Sequence, residues 1–392
     1  MLEFSAEHQL IQSEVQKLCD NYEDDYWQAK DREAEYPMEF VQELAEHGWL
    51  GTIIPEEYGG GGYDTLEAAI VLEEIAASGA GFSGSMACHG AMFVPRSILN
   101  YGTEEMKSTY LPKLASGEKL LQCFALTEPD AGYDSTSIST RAERDGDHYV
   151  VNGQKTWCSR FYASDYMVLV ARTTPREEVS KKTDGMTLFL VDIDDALEQE
   201  AVEARKIEKS IRRAVPSYEV WFEDLEVPAE NVIGEVGDGF SQVMDGLNEE
   251  RVVIAAEAVG LARVAIDRAV QYAKEREVFD RQIGANQAIQ HPLADAHARM
   301  TSARNLTYQA ARAFKEGRDV GEAANIAVYM AREAASKAAD QAVQTHGGYG
   351  VATEYDVERY YREARLSHIA PISDEMIKNY IGEHVLGLPR SY

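Results

Sequence analysis

The spacing of apolar residues changes twice along this chain, and that restricts the available folds more than any one motif does. From residue 1 to about 122 the spacing is helical: Leu10, Val15, Leu18 and Tyr22, then Val41, Leu44 and Ala45, then the buried-helix pattern Leu66-Glu67-Ala68-Ala69-Ile70-Val71-Leu72-Glu73-Glu74-Ile75. From Gln122 to about Val236 short β-branched and aromatic runs take over: Tyr149-Val150-Val151, Tyr166-Met167-Val168-Leu169-Val170, Thr187-Leu188-Phe189-Leu190-Val191 and Tyr218-Glu219-Val220-Trp221-Phe222. Helical spacing returns from Gly239 to Gly387, with alanine-rich segments at 254–274 and 323–344 and loops at 279–285 and 346–352. The expectation is a multi-domain α+β chain: an N-terminal helical domain (1–122), a central β-barrel or sandwich (123–236) and a C-terminal helical bundle (237–392). Residues 177–184 read as a polar loop, and Gly59 to Gly62 as a breaker, since no strand precedes them and their spacing is wrong for a nucleotide fingerprint.

Charge and cysteine usage exclude several functions. Asp and Glu number 67 against 38 Lys and Arg, a formal charge of −29, which argues against nucleic-acid or anionic-membrane partners. The acid excess fits a solvated surface or an origin in a high-salt cytoplasm. No run of 18 apolar residues exists and Met1-Leu2-Glu3-Phe4 is no signal peptide, so a cytoplasmic protein without membrane insertion is expected. Cys19, Cys88, Cys123 and Cys158 are far apart, with no CxxC pair; reduced, mostly buried thiols are expected rather than a metal site or disulfide framework.

Two segments of the β-rich block carry the chemistry. Thr127-Glu128-Pro129-Asp130-Ala131-Gly132-Tyr133-Asp134 is broken by Pro, Asp and Gly into a turn whose backbone groups can meet a ligand. In Val151-Asn152-Gly153-Gln154-Lys155-Thr156-Trp157, Asn152-Gly153 is expected to close a hairpin that delivers the Trp157 indole. A loop beside an aromatic wall fits a flavin; otherwise Trp157 is core filler. With Ile54-Pro55-Glu56-Glu57-Tyr58-Gly59-Gly60 upstream, this arrangement resembles the acyl-CoA dehydrogenases from Phe4 to about the last turn.

The resemblance implies FAD as cofactor. It places Phe124, Leu126, Thr127, Gly132 and Tyr133 beside the flavin, Trp157 over a ring face and the Ser159 hydroxyl toward the ring edge. Arg276, Phe279 and Gln287 match pyrophosphate-side and adenine-side positions contributed by a neighbouring subunit, and Gln344, Gly347 and Gly348 a helix end used across the dimer. Ser373 and Glu375 complete the cofactor set, while Tyr133, Asn248 and Arg251 belong to the substrate side. The chain departs from the family at Asp130, where Gly is common, and at Tyr133, where Ser is common. Tyr133 is therefore expected to narrow or reshape the thioester entrance.

Many acyl-CoA dehydrogenases carry the catalytic carboxylate in a C-terminal Tyr-Glu-Gly-Thr loop. The matching segment here is Ile369-Ala370-Pro371-Ile372-Ser373, with Pro371 at the Glu position. A second branch, similar to isovaleryl-CoA and long-chain acyl-CoA dehydrogenases, places the base in a Glu-Arg pair on the first long C-terminal helix, and Glu250-Arg251 is the match. At ~100° per residue, Glu250 lies ~60° from Leu247 on the stripe of Phe240, Val243, Leu247, Ile254, Ala258 and Leu261, and Glu249 lies ~160° away. Glu250 is thus expected on the stripe's flank, partly desolvated and suited to accept a carbon-bound proton, and Glu249 in solvent. The implied activity is α,β-dehydrogenation of an acyl-CoA to the trans-2-enoyl-CoA by a homodimer or homotetramer, with electrons passing to an electron-transfer flavoprotein. The alternatives are a flavin oxidase of the same fold and a non-catalytic acyl-CoA-binding or assembly protein.

Overall fold

The computed structural model describes residues 4–391. Seven helices come first: α1 (Ala6–Cys19), α2 (Asp24–Glu33), α3 (Met38–Glu46), α4 (Thr65–Ile75), α5 (Gly81–Cys88), α6 (Arg96–Tyr101) and α7 (Glu104–Ser116). Strands follow: β1 (Leu121–Ala125), β2 (Arg141–Asp145), β3 (His148–Ser159), β4 (Tyr166–Arg172) and β5 (Met186–Asp192), a short α8 (Ile193–Glu198), then β6 (Val202–Lys206), β7 (Ser217–Pro228) and β8 (Val232–Ile233). The remainder is α9 (Gly239–Glu275), a small hairpin of β9 (Glu277–Val278) and β10 (Arg281–Gln282), then α10 (Gln287–Lys315), α11 (Gly321–His346), α12 (Val357–Ser367) and α13 (Asp374–Tyr380). No helix among the described residues is long and apolar enough to cross a membrane. The four cysteines are free and buried.

The large sheet runs β6-β7-β3-β2-β4-β5-β8, with β1 parallel to β4. Met167, Leu169 and Ala171 of β4 enter one apolar core while Tyr166, Val168 and Val170 enter another. Both faces of this strand are therefore dry, which is why it is a continuous apolar run rather than an alternating one. Asn152-Gly153 does not close a hairpin: both residues lie inside β3, and the β2–β3 turn falls at Asp145–His148 with Gly146 at φ 62°. Gly153 marks a register shift against β7, where a Cβ would meet Thr140 Oγ1 at 2.6 Å. Backbone proximity, not turn chemistry, selects this glycine.

α4 is the hub of the helical part. Every residue in it is buried, including Glu67, Glu73 and Glu74. Burying carboxylates is costly unless each finds a cation or donor, and here each does. Glu73 meets Arg263 Nη1 at 2.5 Å and Arg304 Nε at 2.7 Å; Glu74 accepts from Gln12, Gln16 and Arg263; Glu67 pairs with Lys315 at 2.6 Å. Gly260 lets α9 close on α4, since a Cβ there would meet the Glu73 carbonyl oxygen at 2.4 Å. α9 also packs on α10 and α11, so its middle has no wet side.

Candidate active site

The loop after β1 is held by a buried ion pair. Lys155 falls in phase with the inward residues Tyr149 and Val151 of β3, so its ammonium is carried inside. There Nζ meets Glu128 Oε1 at 2.7 Å and donates to the Leu126 carbonyl at 3.0 Å. Glu128 also accepts from the Ser139 and Thr140 amides at 2.7 and 2.9 Å. Burial works to raise the Glu128 pKa, but Lys155 and these donors outweigh it and bring it down to about 2. Thr156 N–H donates to the Thr127 carbonyl at 2.8 Å, so the loop carrying Leu126 and Thr127, just after Phe124 of β1, is fastened to the strand carrying Trp157. Sequence reasoning assigned Glu128 and Lys155 no role; the available signal was a lysine at an inward strand position.

Trp157 is not core filler. A register shift between Lys155 and Cys158 puts its backbone at φ 61° and leaves the indole 55 % exposed. Two residues on, Ser159 Oγ lies 2.8 Å from Ser217 Oγ, and Ser217 Oγ accepts from Lys209 Nζ at 2.9 Å. Gly132 and Tyr133 are exposed, and the Tyr133 hydroxyl donates to the Ile369 carbonyl at 2.7 Å, tying the β-domain loop to the C-terminal loop. Tyr133, Ser373 and Glu375 line one cleft of about 680 Å³ with His368, Ile369 and Asp374. Ser373 caps α13 by accepting from the Met376 amide at 3.3 Å. Arg332 Nη1 donates to the Ile372 carbonyl at 2.8 Å, fixing the loop directly after the exposed Pro371.

Glu250 and Glu249 are both buried, at 8 % and 5 % exposure. The expectation that Glu249 faces solvent is wrong, because it assumed a helix with one dry face, whereas α9 is enclosed here. Glu249 accepts from Thr65 Oγ1 at 3.1 Å and pairs with Arg96 Nε at 3.1 Å, locking this turn of α9 to the start of α4 and to α6. Burial raises its pKa, partly offset by Arg96. Glu250, about 100° further round the helix, lies 3.8 Å from His89 Nε2. His89 Nδ1 lies 3.2 Å from Glu257, which is two helical turns beyond Glu250 and fully buried. Asn248 Oδ1 accepts from Arg251 Nη1 at 2.7 Å, so the two substrate-side candidates are tied to each other. His89 and Glu257 escaped the sequence reading; the i, i+7 spacing of two acids on one helix was the signal.

Of the sequence candidates, Tyr133, Ser373 and Glu375 line this cleft, whereas Phe124, Leu126, Thr127, Gly132, Trp157, Ser159, Asn248, Glu250 and Arg251 lie outside its lining. Arg276, Phe279, Gln287, Gln344, Gly347 and Gly348 are exposed at the ends of α9 and α11 and the start of α10, with Phe279 94 % exposed at φ 54°. The residues present fit a flavin: a bare indole, a hydroxyl pair and an open cleft with a capped helix at one side are the chemistry a flat, hydrogen-bonding ring needs.

Three family models match the chain: the acyl-CoA dehydrogenase N-terminal domain over 5–118, the middle domain over 123–225 and the C-terminal domain over 237–386. The chain is 39 % identical over 393 aligned residues to the acyl-CoA dehydrogenase FadE12 of Mycobacterium tuberculosis, covering 99 % of this chain and 98 % of that one. It superposes on glutaryl-coenzyme A dehydrogenase, solved with glutaryl-CoA, at TM-score 0.91 and 36 % identity, covering 100 % and 98 % of the two chains. A chain from the structure of the electron transferring flavoprotein of Acidaminococcus fermentans matches at TM-score 0.92 and 30 % identity, covering 98 % and 99 %. The chain belongs to the acyl-CoA dehydrogenases, FAD-dependent oxidoreductases that act on CH–CH bonds.

Proposed function

We propose that this protein converts an acyl-CoA thioester to the trans-2-enoyl-CoA with Glu250 as the base, and that its electrons leave to an electron-transfer flavoprotein. The observation that carries this reading is the position of the acids. Glu250 is an inward-facing carboxylate on α9, whereas the C-terminal loop presents Pro371, which cannot take a proton. Glu249 is already occupied by Thr65 and Arg96. FAD, when bound, supplies the acceptor for the β-hydride; Phe124, Leu126, Thr127, Gly132, Tyr133, Trp157, Ser159, Ser373 and Glu375 would hold it from this chain.

The protein's own part is to orient the thioester, exclude water and accept the α-proton. Burial keeps water from Glu250, so the carboxylate meets a weakly acidic C–H rather than solvent. The thioester carbonyl needs a donor as enolate-like charge develops. Pro371 has no N–H, and the Ile372 amide, one peptide before the Ile372 carbonyl that Arg332 holds, is the next donor in the loop. Tyr133, bonded across to Ile369, stands at the entrance with Asn248 and Arg251 on the substrate side. The Acidaminococcus neighbour supports an electron-transfer flavoprotein as acceptor, and the glutaryl-CoA complex supports an acyl-CoA as donor.

The test is Glu250→Gln, which is nearly isosteric and removes only the proton-accepting carboxylate. Flavin reduction by acyl-CoA, followed by rapid mixing, should fall by at least ~10²-fold while FAD and acyl-CoA still bind. Bleaching at the parental rate would place the base elsewhere.

A further inference from the structure

Glu250 does not sit alone. His89 opens a single helical turn between α5 and α6, and Gly90 beside it is pressed against β1, where a Cβ would meet the Gln122 backbone at 2.7 Å. The imidazole is held on a third side by the Phe93 ring, 4.9 Å between centroids. Its two nitrogens face two carboxylates of α9, Nε2 toward Glu250 at 3.8 Å and Nδ1 toward Glu257 at 3.2 Å. Both Glu257 oxygens and His89 Nδ1 are buried without a well-aligned hydrogen bond, so only charge compensates them.

We propose that His89, pinned by Glu257, is a positioning residue for Glu250: its imidazolium fixes the carboxylate from behind and keeps it ionised for α-proton removal. This rests on Glu250 being the base. Two carboxylates at these distances in a dry interior repel one another unless a cation lies between them, and His89 is between them. Burial works to strip its proton, yet Glu257 and Glu250 outweigh that and raise its pKa. The surrounding charges complete the balance. Arg212, from the β6–β7 loop, faces Glu257 along with Glu363 of α12 and Arg160; Arg251 of α9 and Arg332 of α11 face Glu250; and the Cys88 thiol beside His89 is pushed up by burial and by Glu257. The arginines hold their charge at any physiological pH. His89 is the member of the set whose proton is held by its neighbours, Glu257 first and Glu250 with it, against the pull of burial.

The experiment separates base chemistry from hydride transfer. FAD-loaded enzyme in D₂O is given 3,3-dimethylbutanoyl-CoA, which has α-hydrogens but no β-hydrogen, and α-deuterium uptake is followed by mass spectrometry across pH; flavin reduction by the preferred acyl-CoA is profiled in parallel. In His89→Gln the acid limb of both profiles should move up by about one pH unit, a tenfold loss on the acid side with a near-parental alkaline plateau. Glu257→Gln, nearly isosteric, loosens the His89 proton but also removes a negative charge that opposes Glu250, so its limb should move by less than that of His89→Gln. A uniform loss at every pH, or an unmoved limb in both folded, FAD-loaded variants, overturns the proposal. Glu250→Gln is the control: loss of exchange there with unmoved His89 and Glu257 variants sinks only this inference, whereas parental exchange in Glu250→Gln sinks the base assignment itself.

Discussion

The two ends of α9 differ more than any other two regions of the molecule. Around Glu250 the helix is enclosed by α4, α10 and α11, and each ionised side chain meets a partner: Glu249 with Arg96, Glu250 and Glu257 with His89, Glu73 and Glu74 with Arg263. At its C-terminal end Arg276 and Phe279 stand bare, as do Gln344, Gly347 and Gly348 at the nearby end of α11. The proposed proton-handling centre is built inside one chain; the outer cofactor candidates are left open to solvent. An aromatic ring at 94 % exposure and φ 54° is an arrangement that a lone chain gains nothing by adopting. The contrast teaches that substitutions in the first region should act on stability and pH behaviour, and in the second on cofactor retention and association.

The largest stability effect is expected at the ion pair that holds the loop after β1. Lys155→Met leaves Glu128 buried without its cation, and losing one partner of a buried pair costs about 3–5 kcal/mol. Denaturant unfolding measures it, and a cost under about 1 kcal/mol would show the pair to be unimportant. The acid dependence has a definite sign. Glu128 is depressed to about 2 from the 4.5 of a free glutamate, so its contribution is full above about 4.5 and is lost as pH falls toward 2. Glu128→Gln should flatten stability across that window; an unchanged acid slope would assign the slope to other carboxylates.

Glu249→Gln should have a smaller effect, about 1 kcal/mol, because Gln keeps an acceptor for Thr65 and Arg96 retains Asp64. Its pKa is raised in the folded state, so the acid itself is least unfavourable below the free-glutamate value and stability it contributes fades as pH rises through the raised value. The variant should therefore lose less at alkaline pH than at acid pH. A rate of flavin reduction cut as deeply as in Glu250→Gln would erase the distinction between the two neighbours.

How the sequence performed at these two glutamates shows where its legibility ends. The change from helical to strand spacing and back was visible because one buried face per element imposes a period. The motif around Trp157 was visible because the family resemblance is carried by local residues. Glu249 lies inside because a helix buried on all sides has no polar face, and only three-dimensional packing by α4 and α6 tells that Thr65 and Arg96 await it. Asn152-Gly153 was misjudged for a related reason: a dipeptide favoured in turns also suits a strand where Thr140 leaves no room for a Cβ. His89 and Glu257 meet across 168 residues of chain, and no local pattern joins them.

The smallest stability effect, and the one that decides between the two regions, belongs to Arg276→Ala. Its side chain is exposed, so unfolding free energy of the FAD-free protein should change by less than about 0.5 kcal/mol. A guanidinium that pairs with a pyrophosphate contributes a charge-assisted bond, so FAD should be held ~10-fold more weakly, roughly 1.4 kcal/mol. If the partner-borne wall exists, the loss should also depend on protein concentration, because dilution removes the neighbour and the cofactor together. Phe279→Ala should behave alike, with a larger loss of association since the ring carries apolar area and no charge. FAD release measured by its fluorescence, beside sedimentation at the same concentrations, reads both. Release that is unchanged by either substitution and independent of dilution would mean that the bare end of α9 serves something other than the cofactor, and the contrast with the enclosed centre would have to be explained without FAD.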